Sequence, residues 1–147
     1  MKTVNKSVLI WYSPLEMYDL VTDVQRYPEF LPWCDGTRIV EEHGGDVTAE
    51  VSILFGVVRQ TFTTRNVNTQ GSRVDMELLD GPFSHLDGQW NFKPLGDGTQ
   101  RACRVELAVN YRLNSSTLST LAGPAFDKIA TELVEAFVKR AEQVYGV

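Results

Sequence analysis

The sequence predicts an α+β fold: a curved, seven-stranded antiparallel sheet wrapped around one long C-terminal helix, with two short helices after the first strand. Three observations predict it. From Thr37 to Arg112, apolar and polar residues alternate with period two, in segments parted by short turns rich in Gly, Asp and Asn. From Ser115 to Tyr145 the apolar residues instead recur every three or four positions, the period of a helix with one broad apolar stripe. Between these regimes and the N-terminal strand lies a proline-punctuated stretch, Ser13 to Pro32, that holds helix-start signals and no alternation.

The elements follow in order. Thr3 to Trp11 reads as a strand ending in the apolar run Val8, Leu9, Ile10, Trp11. Ser13-Pro14-Leu15-Glu16 is a helix start: Ser13 can cap, Pro14 suits the first helical position, and Glu16 completes a capping box for a helix to Thr22. Gln25 to Leu31 is a second short helix or turn, broken by Pro28 and Pro32. Arg38 to Glu42 is a strand, and His43-Gly44-Gly45-Asp46 a turn. In the next strand Ala49, Val51 and Ile53 alternate with Thr48, Glu50 and Ser52, and Phe55-Gly56 marks a bend or bulge. Arg59 to Val67 follows, then a turn at Asn68 to Ser72, then Arg73 to Leu78 with Val74, Met76 and Leu78 on one side. Gly81-Pro82 breaks the run. Gln89 to Lys93 carries Trp90 and Phe92 on one face, and Gln100 to Arg112 carries Cys103, Val105, Leu107, Val109 and Tyr111 on one face.

Ser115 to Thr117 offer caps for the long helix and Gly146 its end. At ~1.5 Å per residue that helix would run about 40 Å. Gly123-Pro124 interrupts it, and a bend or a fresh start is expected there, because Pro124 lacks an N–H and crowds the preceding turn. Short turns between strands make the sheet an antiparallel meander, apolar on one face, which the terminal helix covers.

Length, composition and charge bound the function. The 147 residues fit one domain, 1–147, with room for a sizeable core. A net charge of −5 argues against binding nucleic acid through a diffuse positive field. Only Cys34 and Cys103 are present, with no CxxC and no His at ligand spacing, so metal binding is not expected. The reduced thiols and the short apolar run at the N-terminus lead to a cytoplasmic expectation. No catalytic constellation emerges: Ser13 is a cap, His43 sits in a glycine turn, and His85 near Asp87 makes no triad. A non-enzyme is therefore expected.

A strongly curved sheet gripping a helix leaves space unless bulky side chains fill it. Ala122, Ala125 and Ala130 are small, and Gln60, Thr64 and Asn66 share the phase of Phe62. On pattern alone, a cavity with a few polar groups and a filled core with polar strand ends are equal readings. In Tyr27 to Cys34 two prolines stiffen a loop bearing Tyr27, Phe30, Leu31 and Trp33, which either forms a pocket mouth that can meet a membrane or plugs one end of the sheet. After Gly81-Pro82, Phe83 and Leu86 either form a gate opposite Trp33, or the stretch is a tight turn with Phe83 anchored. Arg59 and Arg65 on one strand and Arg104 and Arg112 on another share outward phases. They form a basic patch if the strands are near, or pair with Asp75, Glu77 and Glu106.

Two stretches resemble a known family. Tyr27-Pro28-Glu29-Phe30-Leu31-Pro32-Trp33-Cys34 resembles the YPxFLPWC signature of the coenzyme Q-binding proteins of the START-like, helix-grip superfamily. Leu79 to Phe92 resembles that family's LxxGPFxxLxGxWxF signature, and Phe126 to Gly146 its terminal helix. The nearest likeness is to bacterial members described as ribosome-association toxins of the RatA type; the superfamily also carries the label polyketide cyclase/dehydrase. The resemblance implies a helix-grip fold and non-catalytic binding of ubiquinone or a similar polyprenyl lipid, supporting respiratory electron transport, with no required cofactor. It implies a lining drawn from Phe30, Leu31, Trp33, Phe55, Gln60, Phe62, Thr64, Phe83, Trp90, Phe92, Tyr111, Leu121, Ala125, Phe126 and Ile129, with Gln60 or Thr64 on a quinone oxygen. It further implies transient membrane contact through the Trp33 loop, peripheral at the inner membrane. For the toxin-like members it implies contact with the large ribosomal subunit that blocks subunit joining.

Overall fold

The structure, a computed structural model, describes residues 1–146; the side chains of Phe55 and Val58 lie outside that description. The elements run β1 (Lys2–Ile10), α1 (Pro14–Thr22), a 3₁₀ helix (Val24–Glu29), β2 (Cys34–His43), β3 (Asp46–Phe55), β4 (Val58–Thr69), β5 (Arg73–Asp80), β6 (Phe83–Pro94), β7 (Cys103–Leu113) and α2 (Ser116–Tyr145). The seven strands form one antiparallel sheet in the order β1-β7-β6-β5-β4-β3-β2. This is the expected meander, closed at one edge by the N-terminal strand.

Local chemistry sets the helix ends. Ser13 Oγ accepts from the Glu16 N–H at 3.1 Å while Glu16 accepts from the Ser13 N–H at 2.9 Å, a reciprocal capping box with Pro14 at the first turn. Ser115 Oγ caps α2 through the Leu118 N–H at 3.0 Å. Gly146, at φ 76°, ends the helix and returns its N–H to the Glu142 carbonyl. No fresh start occurs at Pro124: α2 is one helix through it. The bond lost at its missing N–H is outweighed by the stripe Ala122, Phe126, Ile129, Ala130, Val134, Phe137 and Ala141, which is buried on both sides of the proline.

Most strand ends shift by one to three residues from the sequence reading, and β2 and β6 shift furthest. β2 begins at Cys34 rather than Arg38, with irregular register at Cys34/Gly36 and Ile39/Glu41. Of the bend or bulge expected at Phe55-Gly56, the chain makes the bend: β3 ends at Phe55 and the β3–β4 turn follows, with Gly56 at φ 63°. β6 begins at Phe83, six residues before the expected Gln89.

The sheet is curved by bulges in β2, β5 and β6. β5 and β6 pair only from Arg73↔Asn91 to Glu77↔Asp87. Beyond that point Asp80 stays with Thr63 on β4 and Phe83 with Leu113 on β7, so the strands part and Gly81-Pro82 spans the parting. Gly81 must be a glycine: its φ is 148°, and a Cβ there would lie 2.5 Å from Phe62 Cβ. The concave face is apolar, and along β7 every second residue is buried. α2 lies against β1, β7 and α1, which leaves space over β3, β4 and β5.

Candidate functional site

That space is a hollow of about 150 Å³ between the concave sheet and α2. Its floor is Ala49, Val51 and Ile53 of β3, with Phe62, Thr64 and Asn66 of β4. Met76, Leu86, Gly88, Trp90, Val109 and Tyr111 continue it across the sheet. Phe126, Ile129, Ala130, Leu133 and Phe137 of α2 form the roof, and Val24, Tyr27, Trp33 and Phe83 the ends. Ala130 sets the roof back, as its size suggested. Gly88 sets back the floor: a Cβ there would meet Met76 Cε at 2.7 Å.

Eight of the expected lining residues are on this wall: Trp33, Phe62, Thr64, Phe83, Trp90, Tyr111, Phe126 and Ile129. Six are not. Leu31 is fully buried in the core and Phe30 packs edge-on against Tyr27 and Phe137, with the Arg140 guanidinium over its ring at 5.0 Å. Phe92 faces away from the hollow toward Tyr18 of α1, ring centroids 6.0 Å apart. Gln60 is half-buried off the wall, Ala125 is half-buried, and Leu121 is 68% exposed on the outer side of α2. The error at Leu121 and Ala125 is one of helical phase: the buried line passes through Ala122 and Phe126 instead. Phe55, the remaining one, lies outside the described residues as regards its side chain.

Among the wall residues outside the expected lining, Asn66 is the buried polar one, and its phase with Phe62 and Thr64 is readable in the sequence. Thr64 and Asn66 are 7% and 8% exposed, the only buried polar residues among those described. The Thr64 hydroxyl donates to Asn66 Oδ1 at 2.9 Å. Tyr111 spends its hydroxyl on Asp127 of α2. Burial pushes the Tyr111 phenol up, and the Asp127 carboxylate it donates to adds to the effect.

Phe83 is an anchor and not a gate. It is 7% exposed and meets Phe62, Tyr111 and Phe126 edge-on, at centroid distances of 5.7, 6.3 and 5.0 Å. It fills the parting between β5 and β6 from within. Trp33 and Leu133 are half-buried and stand at the rim. Beside Trp33, whose carbonyl accepts from the Leu54 N–H at 2.8 Å, the β3–β4 turn exposes Val57 completely.

The outward arginines form no joint patch. β5 and β6 separate β4 from β7, and three of the four have local partners: Arg59 with Asp35 at 2.9 Å, Arg65 with Asp46 at 3.2 Å, and Arg104 with Ser7 Oγ at 3.3 Å. These are not the partners expected, since Asp75 takes Arg73 and Gln89, and Glu106 takes Lys93. Burial raises the Cys34 thiol and pushes that of Cys103 up to about 11, so neither is poised as a thiolate. His85 and Asp87 meet at 3.0 Å with both side chains substantially exposed. Among the described residues no three His, Cys, Asp or Glu side chains gather to hold a metal ion, and no helix is long and apolar enough to cross a membrane.

An apolar hollow under a gripped helix is the architecture of a lipid carrier, and the sequence matches the family model for "polyketide cyclase / dehydrase and lipid transport" over residues 10–138. The chain belongs to that family. Within it, the ribosome association toxin RatA of Pseudomonas aeruginosa is 40% identical over 97% of this chain and 97% of its own length. A mitochondrial coenzyme Q-binding protein COQ10 homolog B from Xenopus laevis is 31% identical over 97% of this chain and 59% of its own length. The fold is shared with the ZhuI aromatase/cyclase of Streptomyces sp. R1128, at a TM-score of 0.78 and 15% identity, over 97% of this chain and 94% of that one. The relatives are named for ribosome association and for coenzyme Q binding, and the aromatase/cyclase shares the fold.

Proposed function

We propose that the chain, as one START-like lipid-binding domain over residues 1–147, binds a hydrophobic ring-bearing ligand without transforming it, with ubiquinone or a related polyprenyl lipid as the favoured occupant. The hollow carries the reading. Its volume of about 150 Å³ is room for one six-membered ring, walled almost wholly by apolar side chains. The tail of such a lipid leaves past Trp33 and Leu133 at the rim. Each methylene it buries contributes about 0.8 kcal/mol, so no charged anchor is needed. The name of the coenzyme Q-binding relative supports the ligand class. Against catalysis stand the polar groups themselves: Thr64 is bonded to Asn66 and Tyr111 to Asp127, and the wall holds no base beside a nucleophile. The Trp33 loop and the exposed Val57 turn touch a membrane transiently while a lipid is collected, at the inner membrane of a respiring cell, so that the ligand serves electron transport. Organic extraction of purified protein followed by mass spectrometry tests this. A prenyl quinone near one equivalent is expected; no lipid, together with no uptake of added ubiquinone, overturns it.

A second reading rests on the relatives named ribosome association toxin. In it the chain binds the large ribosomal subunit in the cytoplasm and blocks subunit joining. Sucrose gradients with added protein test it: loss of joined ribosomes supports it, and unchanged joining without co-sedimentation rejects it.

A further inference from the structure

We propose that the polar anchor of the hollow is a hydrogen-bond donor, Asn66 Nδ2, and that it selects a ring carbonyl, so that a quinone binds in its oxidised form in preference to its hydroquinone. This rests on the ligand-binding reading above and adds the redox state that the site takes.

Thr64 and Asn66 are two apart on β4 and therefore point to the same face of the sheet. Both are more than nine-tenths buried, and both stand on the wall of the hollow. Thr64 Oγ1 donates to Asn66 Oδ1 at 2.9 Å; in this orientation the amide carbonyl oxygen is engaged and its NH₂ is the free end. Among the described residues Nδ2 makes no hydrogen bond. Nδ2 keeps accessible surface rather than being sealed in the core, and on the wall of the hollow a ligand oxygen can meet it there. The ligand oxygen is the partner this geometry lacks.

The remaining polar groups of the wall do not reverse the preference. The Tyr111 proton is committed to Asp127. The Thr64 oxygen keeps lone pairs, but its proton and rotamer are set by Asn66. A quinone carbonyl brings only lone pairs and matches two amide N–H groups. A hydroquinone brings a hydroxyl proton for which this pair offers only the lone pairs of the Thr64 oxygen, and its own oxygen is the poorer acceptor because the lone pair is delocalised into the ring.

The test is equilibrium dialysis of the intact protein against a decyl-substituted benzoquinone, oxidised in air or held reduced under anaerobic dithionite. The wild type should bind the oxidised form about tenfold or more tightly than the reduced one. Asn66→Leu, checked for a native melting curve, should lose that ratio chiefly by losing affinity for the oxidised form. Equal affinities in the wild type, or a ratio unchanged in Asn66→Leu, overturn the donor anchor and leave lipid binding standing. Binding of neither form by the wild type overturns both.

Discussion

Tyr111 of β7 donates its hydroxyl to Asp127 of α2, one turn beyond Pro124, and Lys2 of β1 reaches the same carboxylate at 3.3 Å. The helix is thereby clamped to the β1–β7 side of the sheet. Held there, it cannot settle onto β3 and β4, and the hollow is the consequence.

Tyr111→Phe removes the clamp and leaves Asp127 free to turn to water, since its side chain is already 38% exposed. A loss of about 1 kcal/mol is expected in urea unfolding, with an unchanged denaturant slope.

Phe83→Ala deletes the ring that joins Phe62, Tyr111 and Phe126. The expected cost is about 3–5 kcal/mol, the range for a buried aromatic. A cost below about 1 kcal/mol in the same melts would mean that the parting between β5 and β6 is filled some other way.

Arg101 grips Glu16 with two hydrogen bonds, at 2.8 and 2.6 Å, and holds its carboxyl at about 2 against an ordinary 4.5. The folded-state value is depressed, so the unfolded chain binds the proton first. The stabilisation is present above pH 4.5 and is lost as pH falls toward 2. In Arg101→Leu the fall in stability across that window should be shallower than in the wild type, by denaturant titrations at successive pH values.

Val57 is wholly exposed at the β3–β4 turn, so Val57→Asp should leave the melting temperature unchanged. If this turn meets a bilayer beside Trp33, the variant should co-sediment several-fold less with anionic vesicles. Equal sedimentation would remove the turn from the membrane contact.

Most of the architecture was legible in the sequence, because alternation and helical period are local signals. β7 alternates throughout, and its burial follows the pattern residue by residue. β6 was read short because Gly88, Asp87 and His85 carry no apolar alternation; its first half is held by pairing with β7, which a strand-by-strand reading does not see. The site was legible where a residue's face was certain, as at Phe62, Thr64, Trp90 and Phe126. It failed at Leu121, where one helical step separates the roof from solvent, and at Phe92, where the neighbouring α1 claims the ring. Asn66 has the right phase, but phase alone does not separate it from Gln60, which shares it and lies off the wall.

The hollow is tested most directly by filling it. Ala130→Leu puts three more carbons into the roof, and the empty protein should gain up to about 2 kcal/mol of stability. Uptake of the decyl benzoquinone should fall from one equivalent in the wild type to none. Full uptake by Ala130→Leu would contradict a ligand seated between the sheet and α2.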